Sequence, residues 1–216
     1  MILIKELFVR KGKNFGLKCE NCTIKDNSVN LIVGPNGAGK TTLIKGILGL
    51  DACAKRIVYE NSILLNRANT MLFRQRTGYA PQEIRFNSLH IFNVGYAMEL
   101  AFWKRKSSIK NIRKEIDYAL DICGLLRYRD FPVSFLSGGE KRRFLIARAL
   151  ATSVDYIFLD EPDAFLDFDF TKNLPEILSD YKKKKKLTVV ISTHNNELFN
   201  NISDVLISVK NGYVKC

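Results

Sequence analysis

One segment constrains this chain more than any other: Gly34-Pro-Asn-Gly-Ala-Gly-Lys40-Thr41. It fits G-x-x-x-x-G-K-[ST], a loop that needs a strand before it and a helix after it. Both are legible. Val29–Val33 is a short apolar run, and Lys40–Leu48 carries Leu43, Ile44, Ile47 and Leu48 on one helical face. Glycines let the backbone curl so that several N–H groups converge as an anion nest. The following helix aims its positive end at the same point. Lys40 adds a mobile charge for the β- and γ-phosphates of a nucleotide, and Thr41 offers a hydroxyl to Mg²⁺. The candidate nucleotide-binding set is therefore Gly34, Pro35, Asn36, Gly37, Ala38, Gly39, Lys40, Thr41 and Thr42.

Two further segments carry chemistry. Val154-Asp-Tyr-Ile-Phe-Leu159-Asp160-Glu161-Pro162 is an apolar strand ending in two carboxylates. In a parallel sheet the carboxyl ends of neighbouring strands share one rim, so Asp160 and Glu161 are expected to face the glycine-rich loop. Successive side chains point to opposite sides of a strand. One acid can then reach a Mg²⁺ shell while the other, at the strand's end, reaches a water. Phe135-Leu-Ser137-Gly138-Gly139-Glu140 precedes a helix and offers a hydroxyl, free N–H groups and a dipole. A helix N-cap with a polar third position explains that segment equally well without a ligand.

The remaining pattern defines the fold class. Apolar and polar residues alternate over the first thirty residues (Ile2, Ile4, then Leu7, Val9; later Leu17, Cys19), with turns at Lys11–Asn14 and Asp26–Ser28. From about Ser88 to Cys123 the period turns helical, with Ile112, Ile116, Ala119, Leu120 and Cys123 three and four residues apart. A second helix after Ser137–Gly139 carries Phe144, Ala147 and Leu150. Val154–Leu159 and Leu187–Ser192 are continuous apolar runs, as strands covered on both faces of a parallel sheet are. The order predicts an α/β fold: a P-loop NTPase core with a mostly parallel sheet, an N-terminal antiparallel β lobe and an inserted α-helical lobe. One domain is expected over 1–216, with its core from 1–83 and 152–216 and the helical lobe from 84–151.

Composition narrows the setting. Hydrophobic residues make up 46% of the 216, enough for a packed core. No apolar run approaches the roughly 20 residues a membrane span needs. The opening MILIKELFVRKGK sets its apolar residues before its charges and does not read as a signal peptide, so a cytoplasmic protein is expected. A net charge of +12 favours an anionic partner: nucleotide, phospholipid surface or nucleic acid. The densest basic run, Lys182–Lys186, suits the negative end of a helix. Of Cys19, Cys22, Cys53, Cys123 and Cys216, only the first two are close, and His90 and His194 are far from them in sequence. Reduced thiols are expected rather than a metal or redox site.

Taken together, Gly34–Thr42, Gln82 in Tyr79-Ala-Pro-Gln82, Leu136–Glu140, Leu159–Pro162, Leu166-Asp167 and His194 in Ser-Thr-His194-Asn occur in an order and spacing that resemble those of ABC transporter ATPase domains. The likeness runs from about Leu3 to about Val214. It implies that Gln82 contacts Mg²⁺ together with Thr41 and Asp160, and links the site to the helical lobe. It implies that Glu161 is the base that polarises the attacking water, with Lys40 at the phosphates and His194 holding the γ-phosphate and that glutamate. Ser137, Gly138 and Gly139 resemble the signature motif, which meets ATP held by the other subunit. Asp167 resembles the aspartate at the dimer seam. The chain departs from the family's commoner pattern at Glu140, where glutamine is usual, and in Asp-Ala-Phe-Leu-Asp167, where Phe165 is bulky. The adenine-stacking aromatic falls near Lys11, with Phe8 and Phe15 close by, and is unassigned.

The resemblance implies ATP and Mg²⁺ as cofactors, a second ATPase subunit (identical or related) as partner, and a separate integral membrane transporter subunit. The latter would dock on the helical lobe around Ile84–Trp103, where Phe86, Phe92, Tyr96, Phe102 and Trp103 are either exposed contacts or ordinary core. The expected place is the inner face of the cell membrane, whose anionic leaflet suits a basic protein. No direct nucleic-acid binding is expected. Two other readings stay open: a soluble ABC ATPase of iron–sulfur cluster assembly or of nucleic-acid and ribosome work, and a non-catalytic scaffold, which an intact Glu161 and His194 disfavour.

Overall fold

The computed structural model describes residues 1–11, 15–51, 53, 55–82, 91–102 and 108–216, the side chains of 11 and 15 excepted. The strands and helices in chain order are β1 (Ile2–Lys11), β2 (Phe15–Ile24), β3 (Val29–Val33), α1 (Lys40–Ile47), β4 (Lys55–Glu60), β5 (Ile63–Leu64), α2 (Arg67–Gln75), β6 (Thr77–Ala80), α3 (Val94–Glu99), α4 (Ile109–Ile122), α5 (Gly138–Thr152), β7 (Tyr156–Asp160), α6 (Phe168–Lys185), β8 (Thr188–Thr193), β9 (Val205–Lys210) and β10 (Tyr213–Lys215). The strands form one sheet in the order β5-β4-β1-β2-β10-β9-β3-β8-β7-β6. β9, β3, β8, β7 and β6 run parallel, whereas β1 pairs antiparallel with both β2 and β4. The antiparallel lobe is thus continuous with the parallel core. β10 joins them, antiparallel to β9 and parallel to β2.

Period-two alternation explains how the parallel strands are covered twice. Leu31, Ile157, Leu159, Val189 and Ile191 pack on the side of α3 to α6; Ile32, Phe158, Val190 and Ile207 pack on the side of α1. Helix α1 touches β1 and β2 as well as β7 and β8, so the sheet wraps around it. Leu43, Ile44, Ile47 and Leu48 are each at most 1% exposed. Burial of each stabilises the fold by roughly 1.5–3 kcal/mol as an upper estimate. Gly46 permits the close approach of β1: a Cβ there would lie 2.8 Å from Leu7 Cδ2. Arg56 of β4 fixes the helix's other end, donating from Nε to the Gly46 carbonyl at 2.8 Å and from Nη2 to that of Ile47 at 2.7 Å. Those are the carbonyls a helix C-terminus leaves unpaired.

Several expectations need adjusting. The parity of buried residues in β1 changes between Ile4 and Leu7 because the β1–β4 register shifts at Ile4/Glu6; opposite it, Asn21 of β2 is left-handed (φ 51°). That irregularity buries both Cys19 and Cys22, three residues apart. The expectation of reduced thiols fails for two of the five cysteines. Cys22 is disulfide-bonded to Cys216 beyond β10, while Cys19, Cys53 and Cys123 are free. Val154 stands before β7 and is exposed. Helix α3 is short and passes into a 3-10 turn, Leu100–Phe102. Among the aromatics considered for docking, Phe102 is buried, Phe92 packs partly against the core and Tyr96 is exposed; Phe86 and Trp103 lie outside the described residues. The lobe boundary at residue 84 and the turn at 12–14 lie outside them too.

Candidate nucleotide-binding and hydrolysis site

The helix N-termini separate into two kinds. Asn66, Asn93, Ser108, Ser137 and Asp167 cap α2 to α6, each accepting from a backbone N–H with its side chain. Helix α1 begins instead at Gly39, left-handed at φ 112°, with no side-chain cap. Its first-turn N–H groups and its dipole are therefore left for an anion at the loop Gly34–Thr41. The loop's shape depends on glycine at its start, where a Cβ on Gly34 would overlap the Val209 carbonyl oxygen. Ala38 N–H closes the turn onto the Pro35 carbonyl at 3.2 Å.

A cleft of about 210 Å³ opens at this loop, lined by Asn36, Gly37, Gly39, Lys40, Thr41, Thr42, Gln82 and Glu161. Lys40 is 4% exposed. Its Nζ donates to the carbonyls of Gly34 (2.8 Å) and Pro35 (3.2 Å) and lies 3.2 Å from Glu161 Oε1. Gln82 Nε2 donates to the other oxygen, Glu161 Oε2, at 2.6 Å. Thr41 Oγ1 stands 3.1 Å from Asp160 Oδ1 and 3.3 Å from Gln82 Oε1. Loop, strand end and Gln82 thus converge on one cleft.

Asp160 is the last residue of β7 and fully buried. Burial raises its pKa, and the hydroxyls of Ser192 and Thr41 pull it back. Ser192 Oγ donates to Asp160 Oδ1 at 2.5 Å. Asp160 Oδ2 is buried with no hydrogen-bond partner among the described residues. An orphaned carboxylate oxygen beside a threonine hydroxyl and an amide oxygen is a donor set that suits a hard divalent cation. Thr41, Gln82 and Asp160 therefore fit Mg²⁺.

Glu161 does not continue the strand. It is left-handed (φ 49°), a conformation that costs a non-glycine residue roughly 1–3 kcal/mol and is held by its surroundings. Its N–H donates to the Ser192 carbonyl at 2.9 Å and to Ser192 Oγ at 3.1 Å. The turn aims the carboxylate into the cleft beside Lys40.

The other expected residues lie outside this cleft. His194 is the first residue past β8 and exposed, and no hydrogen bond joins it to Glu161 among the described residues. Its charge bears on Asp163, whose pKa burial raises and whose oxygens accept from Thr193 Oγ1 at 3.3 and 3.2 Å. Ser137 caps α5 in a reciprocal box with Glu140: the Glu140 N–H donates to Ser137 Oγ at 3.3 Å and the Ser137 N–H to Glu140 Oε2 at 2.9 Å. Gly138 has open space where a Cβ would stand, and at Gly139 a Cβ would lie 3.3 Å from the Phe165 carbonyl oxygen. Glutamate at 140 thus completes the cap, and Phe165, left-handed at φ 65°, turns its ring outward, 82% exposed. Asp167 caps α6, accepting from Phe170 N–H at 2.9 Å. Phe8 is exposed; the side chains of Lys11 and Phe15 lie outside the described residues. Two residues that bond to the Asp160–Glu161 strand end escaped the sequence reading: Ser192, and Arg142, which donates to the backbone carbonyls of both acids. Ser192 was visible only as part of an apolar strand, and Arg142 only as one of several basic residues in α5.

The family model described as "ABC transporter" matches residues 17–164. A putative ABC transporter ATP-binding protein of Archaeoglobus fulgidus is 34% identical over 210 residues, 95% of this chain and 68% of that protein. Of some other curated relatives the chain spans only about half the length. Among solved structures, cbiO1 of Clostridium perfringens, part of the ABC transporter complex cbiONQ, superposes with a TM-score of 0.83 at 28% identity, covering 100% of this chain and 86% of that one. The dimeric, post-hydrolysis ATP-binding cassette MJ0796 bound to ADP and Pi gives 0.84 at 26% identity, covering 100% and 97%. A glycine loop, a lysine and paired carboxylates thus lie within a fold and a sequence that match one family throughout, and the chain belongs to the ABC transporter family, as an ATP-binding ATPase.

Proposed function

We propose that this chain pairs with a second ATPase subunit around two MgATP and that hydrolysis drives a separate integral membrane subunit. The observation that carries the reading is the convergence of Lys40 and Gln82 on the two oxygens of Glu161, beside the Thr41–Asp160 pair. Phosphoryl transfer asks a protein mainly for positioning and charge stabilisation. Lys40 and the uncapped amides of α1 supply positive charge at the phosphates. Thr41, Gln82 and Asp160 would hold Mg²⁺, which when bound neutralises phosphate charge. Glu161 orients the attacking water and takes its proton, and Gln82 fixes the carboxylate.

The cleft is partly open to solvent, Ser137, Gly138 and Gly139 are not among its lining residues, and among the described residues nothing lies within 4 Å of where a Cβ on Gly138 would stand. Their N–H groups and the α5 dipole suit the phosphates of ATP held by the partner. Closing the pair excludes water and lowers the local dielectric, which strengthens each phosphate contact. In this reading His194 swings to the γ-phosphate on closure, and Asp167 lies at the seam. MJ0796 was captured as a dimer, and cbiO1 belongs to a transporter complex; both support the assembly. No helix among the described residues is long and apolar enough to cross a membrane; in this reading the pore belongs to the separate membrane subunit, and this chain works at the inner membrane face.

Calorimetric titration of MgATP, followed by light scattering of a Glu161→Gln variant with MgATP or with ATP and EDTA, tests the reading. Binding and a dimer that EDTA abolishes are expected. No heat, or a monomer under every condition, would overturn it. Co-purification from solubilised membranes tests the transport arm: a multi-span partner is expected, and only soluble partners would favour an ABC ATPase outside transport.

A further inference from the structure

Arg142 lies on α5, the helix that begins at the Ser137 cap, and is 1% exposed. A buried guanidinium needs partners, because burial disfavours its charge. Here the partners are not carboxylates but three backbone carbonyls. Nη1 donates to Pro81 O at 2.5 Å; Nη2 donates to Asp160 O at 2.6 Å and to Glu161 O at 2.5 Å. Nε has no partner among the described residues. The nearby charges of Asp160, Asp163 and Glu161 offset part of the cost of burial.

The identity of those carbonyls matters. Pro81 O belongs to the peptide that leads into Gln82. Asp160 O and Glu161 O belong to the two peptides that flank Glu161. One planar group therefore grips the backbone behind both ends of the Gln82–Glu161 side-chain bond. Glu161 is also the strained, left-handed residue of the site, and Ser192 pins its N–H while Arg142 pins its C=O. A lysine has a compact charge and no fork, so it cannot bridge three carbonyls in one plane. Arg142 is absent from the lining of the cleft.

We propose that Arg142 is a positioning residue for ATP hydrolysis: from α5 it fixes the orientation of Gln82 and Glu161 through their backbone, without touching nucleotide. The proposal rests on the reading of Glu161 as the base. Misplacing a reacting group by about 1 Å can cost a hundredfold in rate. Loss of the fork should therefore appear in kcat and not in nucleotide affinity.

The test uses Arg142→Met, which keeps bulk but donates nothing, and Arg142→Lys, which keeps charge and one donor. Folding is checked by circular dichroism and thermal midpoint, MgATP affinity by equilibrium titration, and kcat and KM by steady-state ATPase assay. Expected are unchanged affinity for MgATP, kcat lowered about tenfold to a hundredfold for Met, and a smaller loss for Lys. A purely structural role would lower the midpoint and leave kcat per folded molecule untouched. Either variant, folded and binding MgATP, with the kcat of the unaltered chain overturns the proposal. Should Glu161→Gln hydrolyse ATP at the normal rate, the base assignment fails instead, whatever the Arg142 variants do.

Discussion

Gln82 Nε2 donates to Glu161 Oε2 at 2.6 Å while Lys40 Nζ lies 3.2 Å from Oε1, so both oxygens of one buried carboxylate are held by groups from different parts of the chain. In the proposed role of base, Glu161 is thus oriented before substrate arrives. Glu161→Gln keeps the shape and the bond to Gln82 but cannot take a proton. ATP binding should persist, turnover should fall by about 10²- to 10⁴-fold, and an ATP-bound dimer should accumulate. Steady-state hydrolysis with size-exclusion chromatography measures both; normal turnover would refute the assignment.

Lys40 bonds two carbonyls of its own loop, which fixes its ammonium in the cleft where the proposed phosphates would lie. Lys40→Ala removes that charge and leaves Glu161, 8% exposed, with one partner fewer. A charge-assisted hydrogen bond is worth about 1.5–3 kcal/mol, so MgATP affinity should weaken about tenfold to a hundredfold. Equilibrium titration reads this directly, and unchanged affinity together with unchanged hydrolysis contradicts the placement.

What the sequence disclosed follows from how local each determinant is. The loop Gly34–Thr41 and its flanking strand and helix are contiguous, so glycine freedom, apolar run and helical period identify them together. Asp160 and Glu161 are legible because a fully apolar strand points at them. The left-handed turn at Glu161 is not, since it is imposed by Ser192 and Arg142 from distant segments. Arg142 sits on a helix with Phe144, Leu145, Ile146 and Ala147 all buried, so no polar face marks it as interior. The joining of the two halves of the sheet depends on a single strand pair, Tyr213 with Lys18, and that pair has no signature of its own.

The Cys22–Cys216 bond is equally non-local, closing a sequence separation of 194 residues. Cross-links of long loops restrict the unfolded chain and typically add about 2–4 kcal/mol. Cys216→Ser should lower the unfolding free energy by about that amount in non-reducing denaturant titrations. Thiol titration of the denatured protein should find three thiols before reduction and five after. Five reactive thiols without reductant would remove the basis for this expectation.

Asp204 ties the start of β3 to the end of α6. Its Oδ2 accepts from the Val29 N–H at 2.7 Å and from Lys182 Nζ at 2.9 Å. The Val29 amide first, and then Lys182, hold its carboxyl below the usual carboxylate range. The sign follows: a depressed folded value means stabilisation that is complete above the unfolded value of about 3.9 and is lost as pH falls through the folded one. Asp204→Asn keeps an acceptor and removes the charge. Partial exposure of the carboxylate screens the lysine pair, so the amide bond dominates and the expected loss at pH 7 is about 1 kcal/mol. The gap between the two proteins in urea unfolding should hold from neutral pH to about 5 and close below about 4. A gap that persists undiminished at pH 3 would show that the charge of Asp204 is not what fastens β3.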